Sequence, residues 1–341
     1  MTTASFWDNA RIASSFDVPR LWNAAGVVGS YWQSRLTGRL THPSFPLAIA
    51  VEPTTSCNLR CPECPSGLRS FTRPTGMLDP ALLESLLKEV HRTTPYLTLY
   101  FQGEPFLHPG FSELVRIAKK YRMYVAASTN AHYLDEEKAN EIVRSGLDRL
   151  VISIDGTTQA TYEQYRVGGS LEKVLQGTAN LVRARKVLAS RTPYSIFQFL
   201  VVRPNEHQLD EAKELAKSIG IDHTVFKTAQ LMEPSADHPL LPTQEKYARY
   251  RRMSDGTVVI KNRLDDHCWR MWQSCVVTWD GKVVPCCFDK DASHVMGDLQ
   301  KNSFAEIWQG EAYNRFRSAI LRGRSSIDIC KNCTEGTTVF A

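Results

Sequence analysis

Three cysteines lie within eight residues of the sequence, in the segment Cys57-Asn58-Leu59-Arg60-Cys61-Pro62-Glu63-Cys64. A structural zinc site requires four protein ligands, whereas this loop supplies three. Three thiolates suit a cubane iron–sulfur cluster, in which one iron stays open to a ligand other than protein. The spacing C-x3-C-x2-C therefore predicts a metal centre that does chemistry. A zinc site completed by a distant fourth ligand is the alternative.

The remaining six cysteines all lie beyond residue 267. The amino terminus lacks the charged region and apolar run of a secretory signal, so we expect a cytoplasmic protein. In that reducing compartment, cysteines serve metal or redox chemistry rather than a disulfide framework. The distribution predicts two metal-bearing regions separated by a scaffold without cysteine. The six are Cys268, Cys275, Cys286, Cys287, Cys330 and Cys333.

The composition is that of a soluble globular protein, with 43% hydrophobic and 23% charged residues in a chain of 341. This length accommodates one large domain and a smaller one. The net charge of +5 is mild, and nucleic-acid binders usually carry a clustered basic patch, so we expect no nucleic-acid partner. No apolar run approaches the ~20 residues of a transmembrane helix, so we expect no transmembrane segment.

Apolar runs alternate with helical stretches from Pro46 onward. Helix caps mark the ends of the helical stretches: Asp79 precedes Pro80 at the start of one helix, and Gly146 ends another. This alternation predicts right-handed crossovers and a parallel sheet. Six units in about 185 residues fall short of the ~250 of a complete eight-unit barrel, so the predicted fold class is α/β with a partial, TIM-like (β/α)6 barrel. The predicted strands are 47–52, 96–101, 123–127, 150–156, 194–202 and 223–227.

Polar residues follow the predicted strands at their carboxyl ends. Because sites in parallel sheets form at that edge, we expect these residues to face one mouth together with the cysteine loop. They are Gly103-Glu104-Pro105 after the second strand, Ser128 and Asn130 after the third, Ser153 and Asp155 in the fourth, and Arg203 and Asn205 after the fifth.

The barrel is predicted to span residues 46–230, with other segments on both sides. Residues 1–45 are predicted to form a helical extension. Within it, residues 19–38 are predicted to form an amphipathic helix that packs on the barrel, and a membrane-surface helix is the alternative. Residues 231–265, with several prolines, are predicted to be a connector. Residues 266–341 are predicted to be a small α+β domain with a hairpin at 276–284, because Asp280-Gly281 separates two apolar runs.

The cysteine loop, the Gly-Glu-Pro segment and the six strand–helix units together resemble the radical S-adenosylmethionine (SAM) enzymes. The resemblance covers residues 46–230. It implies that Cys57, Cys61 and Cys64 hold a [4Fe–4S] cluster whose open iron chelates SAM. Electron transfer to SAM then yields a 5′-deoxyadenosyl radical, which abstracts hydrogen from a substrate.

The resemblance also implies contacts to SAM. Gly103-Glu104-Pro105 meets the amino group, Ser128 and Asn130 lie near the ribose or methionine portion, and Ser153 with Arg166 meets the carboxylate. An arginine fork suits a carboxylate. The alternatives are that Ser128 and Asn130 form a plain strand-end turn and that Arg166 is a surface charge.

The late cysteines resemble the SPASM and twitch domains that carry auxiliary iron–sulfur clusters. The pattern implies one auxiliary [4Fe–4S] cluster held by Cys268, Cys286, Cys330 and Cys333, with Gly281 between the first two ligands. Cys275 is an alternative to Cys268, and zinc is an alternative metal for the set. We expect Cys287 to be a small buried hydrophobic residue.

Three functional hypotheses follow from the resemblance. The cysteine layout is similar to that of twitch-domain dehydrogenases that oxidise an amino-cyclitol, which implies oxidation of a small polar molecule with the auxiliary cluster as electron acceptor. A SPASM-type peptide or protein maturase and a non-catalytic metal scaffold are the alternatives. The enzyme hypotheses imply an external electron donor such as flavodoxin or ferredoxin. The sequence identifies no catalytic base.

Overall fold

The structure is a computed structural model that describes residues 3–337. Two helices open the chain, α1 (Thr3–Ser14) and α2 (Val18–Thr37). In α2, the Asp17 side chain caps the first turn, and Gly38 ends the helix in the left-handed region. The helix predicted at 19–38 is therefore present. α1 was not predicted, because its short sequence shows no clear apolar period.

Six parallel strands follow and pair in chain order within one sheet. All six were predicted, with boundaries that differ by at most a few residues. Together with the intervening helices they form the expected partial barrel of an α/β fold. The strands are β1 (Ala48–Val51), β2 (Tyr96–Thr98), β3 (Tyr124–Thr129), β4 (Arg149–Ser153), β5 (Tyr194–Val201) and β6 (His223–Thr228).

Helices between the strands cover the outer face of this sheet. Alternate strand residues such as Ile49, Leu97 and Val125 point outward and are fully buried in the main core. Side-chain caps start several of the helices, including those of Asp79, Asp135 and Ser170. The helices are α3 (Pro65–Leu68), α4 (Pro80–Val90), α5 (Phe111–Lys120), α6 (Glu136–Ser145), α7 (Gln159–Glu163), α8 (Leu171–Val187) and α9 (Leu209–Ile219).

The segment predicted as a connector forms a small structure of its own. It contains an antiparallel hairpin, β7 (Tyr250–Arg252) with β8 (Val258–Ile260), which was not predicted. A second apolar cluster joins this segment to the cysteine loop, and Leu231, Leu241 and Tyr250 pack there with Leu59. The connector therefore covers the loop rather than simply spanning two domains.

The C-terminal segment continues the barrel sheet. The predicted hairpin forms, and its first strand pairs in parallel with β1, so that Ile49 lies opposite Cys275. This long-range pairing was not predicted. The elements are α10 (Arg270–Gln273), β9 (Ser274–Val277), β10 (Lys282–Val284), β11 (Gly297–Asp298), α11 (Phe304–Trp308), α12 (Glu311–Gly323) and α13 (Asp328–Lys331).

Helix α1 closes the amino-terminal end of the barrel interior. Its Asp8 is buried and accepts a hydrogen bond of 2.6 Å from the hydroxyl of Tyr124, and it forms an ion pair with Arg149. Tyr124 and Arg149 belong to β3 and β4, so one carboxylate ties the first helix to two strands. Among residues 3–337, no helix is long and apolar enough to cross a membrane.

We predict that Asp8→Ala destabilises the fold by about 2–3 kcal/mol, because the change leaves the partly buried Arg149 guanidinium without its carboxylate. The midpoint of anaerobic urea unfolding measures this loss. Asp210→Ala is the control: it removes an ion pair to Lys213 in which both side chains are largely exposed, and the midpoint should stay unchanged. Equal midpoints for Asp8→Ala and the wild type would contradict the role of Asp8.

Candidate functional site

The three cysteines that follow β1 gather at the carboxyl ends of the strands. Cys57, Cys61 and Cys64 line one cavity of about 290 Å³. Residues from the ends of β2, β3, β4 and β5 line the same cavity, as expected for a site at the mouth of a parallel barrel. Among the predicted residues, the lining includes Gly103, Glu104, Ser128, Asn130, Ser153 and Arg166. Pro105 is buried beside this cavity but does not line it.

Gly103 brings the end of β2 against the cysteine loop. Its φ is +75°, and a Cβ at this position would lie 2.2 Å from the carbonyl oxygen of Thr54. The Gly103 amide donates to Ser66 Oγ at 2.9 Å, and the Glu104 amide donates to the Ser56 carbonyl at 2.7 Å. Only glycine fits this conformation at this distance, so it positions a loop that lacks regular structure.

Glu104 is buried and holds the end of β3. Its carboxylate accepts hydrogen bonds from Thr129 Oγ1 and the Asn130 amide, both at 2.7 Å, and from the Phe106 amide at 3.1 Å. Burial raises the pKa of Glu104, and these three donors oppose the rise. Asn130 Nδ2 in turn donates to Asn58 Oδ1 at 2.8 Å. Glu104 thus links the second strand, the third strand and the cysteine loop.

Arg166 points into the cavity because a buried carboxylate holds it. Its Nε donates to Asp155, and its Nη1 lies 3.8 Å from Cys61 Sγ. Asp155 also accepts from the Leu200 amide at 2.7 Å, which fixes the carboxylate between two strands. Burial opposes the charge of Arg166, but Asp155 and Cys61 raise its pKa well above the usual value. Arg166 is therefore not the surface charge of the alternative hypothesis.

Several residues of this site were not predicted. Gln198 and Leu200 line the cavity. Thr129 lines it between Ser128 and Asn130, as expected from its place at the end of the third strand, and Asp155 was noted at the mouth without a role. Tyr165 lines the cavity too. The sequence showed that most of these residues lie in or near the predicted strands, but it could not show their contacts, which depend on tertiary packing.

The cysteine chemistry fits a cluster. Burial raises the pKa of Cys57 to about 12 and raises that of Cys61, where Arg166 opposes the rise. Iron must therefore displace protons from these thiols. Among residues 3–337, no three His, Cys, Asp or Glu side chains are arranged to hold a single metal ion.

A second set of thiols surrounds a buried arginine. Arg324 Nη2 donates to Cys333 Sγ at 3.2 Å and to the Glu335 carbonyl at 2.7 Å. Burial opposes its charge, but Cys268, Cys333 and Cys330 raise the pKa of Arg324. Burial raises the pKa of Cys286 well above its usual value, and Cys287, Cys268 and Cys333 add to that rise. The structure thus brings Cys268, Cys286, Cys330 and Cys333 together, and Arg324 was not predicted.

Two further cysteines are placed differently from each other. Cys275 lies in β9, packed in the main core, and its electrostatic partners are Arg317 and Tyr313 rather than the other thiols. This placement favours Cys268 over Cys275 as a ligand. Cys287 is exposed rather than buried, so that expectation was wrong. It lines a second cavity of about 430 Å³ beside Cys286, Arg270, Tyr96 and Thr98.

Two family models match the chain. The radical SAM superfamily model matches residues 51–216, and the iron–sulfur cluster-binding domain model, SPASM, matches residues 268–334. Together they account for well over half of the sequence. This chain belongs to the radical SAM superfamily. The chain is an enzyme that binds a [4Fe–4S] cluster and SAM in its barrel, and its SPASM domain binds additional iron–sulfur clusters.

Relatives with different names align over most of the chain. A PqqA peptide cyclase of Gluconobacter oxydans strain 621H is 29% identical over 304 residues, covering 82% of this chain and 81% of that protein. An S-adenosyl-L-methionine-dependent 2-deoxy-scyllo-inosamine dehydrogenase of Niallia circulans is 23% identical over 290 residues, covering 84% and 91%.

The fold is also found in a solved structure, that of BtrN in complex with AdoMet and 2-DOIA. It matches with a TM-score of 0.52 and 18% identity, covering 86% of this chain and 94% of that one. At this identity the likeness concerns the fold.

We predict that Gly103→Ala lowers the iron bound by the barrel, because the added Cβ displaces the cysteine loop from Thr54. Iron and sulfide counting after anaerobic reconstitution measures the effect. Gly256→Ala is the control for backbone strain without a clash. Gly256 also has a positive φ, +81°, but nothing lies within 4 Å of its added Cβ. Full cluster content in Gly103→Ala would show that the close approach does not position the loop.

We predict that Arg324→Gln lowers auxiliary cluster content, because it removes a buried cation from among three thiols. Iron should fall by about four per chain, the content of one cubane. Arg322→Gln is a matched control from the neighbouring helix α12, where Arg322 is exposed. Circular dichroism separates cluster loss from unfolding. Unchanged iron in folded Arg324→Gln would refute this role.

Proposed function

We propose that this enzyme abstracts hydrogen from a small polar molecule, such as a sugar or cyclitol, and that the auxiliary cluster accepts the electron left on the substrate. The bound cofactors supply low-potential electron transfer and the 5′-deoxyadenosyl radical. The protein binds SAM, orients the substrate and excludes water. An external one-electron donor, such as flavodoxin or ferredoxin, completes the cycle.

The residues of the first cavity support a SAM-binding role. The Arg166 guanidinium, fixed by Asp155, faces this cavity beside Cys61 and suits the SAM carboxylate. Ser153 lines the same cavity and is the proposed second contact to that carboxylate. We assign Gly103-Glu104-Pro105 to the amino group and Ser128 with Asn130 to the ribose or methionine portion. Pro105 contributes by fixing the turn after Glu104, since it begins a short 3-10 helix.

One observation carries the proposal for the substrate. The second cavity, of about 430 Å³, lies along the inner side of β1, β2 and β9, and Cys286 and Cys287 form part of its wall. Tyr96, Thr98, Arg270, Gln273 and Ser274 provide polar groups for a hydroxylated molecule. Its volume is in the range of small-molecule sites. A substrate here would contact the auxiliary thiols.

A peptide or protein maturase is the second candidate. The peptide cyclase relative has higher identity to this chain than the cyclitol dehydrogenase relative, 29% against 23%. A peptide would have to enter through the mouth and reach the same thiols. The two candidates share the radical chemistry and differ in the molecule that loses hydrogen.

Reductive cleavage of SAM tests the proposed radical activity. We predict that reconstituted, dithionite-reduced protein forms 5′-deoxyadenosine and that Cys57→Ala does not, because the barrel cluster then lacks a ligand. Chromatography of the products measures this. Deuterium transfer from labelled polyols or peptides into 5′-deoxyadenosine then identifies the substrate class. Formation of 5′-deoxyadenosine by Cys57→Ala at the wild-type rate would contradict the proposed radical activity.

The role of the auxiliary cluster is tested separately. We predict that Cys268→Ala with Cys286→Ala loses about four irons per chain, still forms 5′-deoxyadenosine, and fails to give oxidised substrate. Iron counting and product analysis measure the two effects. Cys275→Ala is the matched control for the iron count, because the electrostatic partners of this thiol are Arg317 and Tyr313 rather than the auxiliary thiols. Oxidised product from the double variant would exclude the auxiliary cluster as electron acceptor.

A further inference from the structure

The outward face of α2 is apolar. One stripe along the helix is formed by exposed residues that recur every three or four positions: Val18, Trp22, Ala25, Gly29, Trp32 and Leu36, with Leu21 beside it. The exposed fractions are 66% for Val18, 55% for Leu21, 75% for Trp22, 41% for Trp32 and 80% for Leu36. At 1.5 Å per residue the stripe is about 27 Å long. The outward face of a packed helix is usually polar, so this stripe calls for a partner.

The opposite face of α2 accounts for its packing on the protein. Val27 and Tyr31 are fully buried, and Tyr31 packs edge-on against Trp269 and Trp272. The buried Arg20 donates to the carbonyls of His91 and Tyr121. The inner face therefore packs on the protein, as expected for this helix. This packing does not explain why the outer stripe is apolar.

The stripe lies at the end of the barrel opposite the mouth. Asn23 Nδ2 donates to the carbonyls of Phe45 and Thr93, which come just before β1 and β2. The carbonyls bound by Arg20 lie just after α4 and α5, where those helices return to the amino ends of the strands. A surface that contacts the stripe would therefore leave the mouth accessible.

The charge of the barrel helices is polarised along the same axis. Helices α5, α6, α8 and α9 all have acidic residues in their first turns, at the mouth, and basic residues in their last turns, at the far end. α2 itself contains no Asp or Glu, and its Arg35 is exposed, as is Arg39 just beyond it. The exposed basic last-turn residues are Lys120, Arg144, Lys186 and Lys217, whereas Lys119 and Arg185 form ion pairs with Asp148 and Asp222.

We propose that the α2 stripe docks this protein on an anionic lipid surface. Trp and Leu side chains enter the boundary between headgroups and acyl chains, while exposed arginines contact the headgroups. A second copy of this chain would bring two basic ends together, whereas anionic headgroups neutralise that charge. The docked enzyme presents its mouth to the aqueous phase.

Vesicle flotation of the reconstituted holoenzyme tests the proposal. Protein should float with vesicles of phosphatidylglycerol and phosphatidylcholine, and binding to phosphatidylcholine alone should be weaker. Raising NaCl from about 0.05 M to about 0.5 M should reduce binding, because it screens the headgroup attraction. Trp22→Glu with Leu36→Glu should lower the bound fraction at least about tenfold, since both side chains leave the lipid.

Met253→Glu with Val259→Glu is the matched control. Both residues are 43% exposed and lie in the β7–β8 hairpin, so this pair adds the same charge away from α2. It should bind vesicles as the wild type does. SAM cleavage by each variant reports correct folding, and vesicle binding is measured independently of that reaction.

Two results would overturn the proposal. In the first, the wild type does not float with anionic vesicles, or the α2 double variant, folded, floats equally well. In the second, light scattering without lipid shows a dimer that the α2 double variant dissociates, which would assign the stripe to a second copy of this chain.

Discussion

The double pairing of β1 organises both halves of the molecule. β1 pairs in parallel with β2 on one side and with β9 on the other, so a strand from the C-terminal segment becomes part of the barrel sheet. The cysteine loop follows β1 directly. The hairpin that begins with β9 leads directly to Cys286. Backbone hydrogen bonds rather than a flexible linkage therefore set the distance between the two groups of thiols.

The barrel could be predicted because its signals are local. Apolar runs, helix caps and strand-end polar residues gave all six strands and most of the mouth, including Glu104, whereas Arg166 came only from the family resemblance. The pairing of β1 with β9 could not be predicted, since it joins segments more than two hundred residues apart. The roles of Asp155 and Arg324 depend on partners that meet only in the folded chain. Cys287 was misplaced because cysteine type alone does not distinguish a core position from a cavity wall.

The connector shows how a proline-rich segment becomes structural. The Leu231 carbonyl accepts a hydrogen bond of 2.6 Å from Asn332, which lies between Cys330 and Cys333, and the Met232 amide donates to Glu63 in the cysteine loop. Tyr250 from the hairpin donates to the same Asn332 at 2.8 Å. Two adjacent residues thus touch both cysteine motifs. A displacement of either cysteine motif would therefore strain the other through the hydrogen bonds of Leu231 and Met232.

Both groups of thiols have a buried guanidinium, and this similarity has an electrostatic reason. Arg166 lies beside Cys61 and is held by Asp155, whereas Arg324 lies beside Cys333 and is held by the carbonyls of His267 and Glu335. Thiolates in a low-dielectric interior are costly unless a cation is near. Arg166 shares its charge with a carboxylate, while Arg324 faces only carbonyls and thiols among these contacts. The less compensated cation stabilises added negative charge more strongly, and charge and hydrogen bonds at sulfur tune cluster potential. The two groups of thiols therefore lie in different electrostatic surroundings, with a guanidinium paired to a carboxylate at one and a guanidinium held by carbonyls at the other.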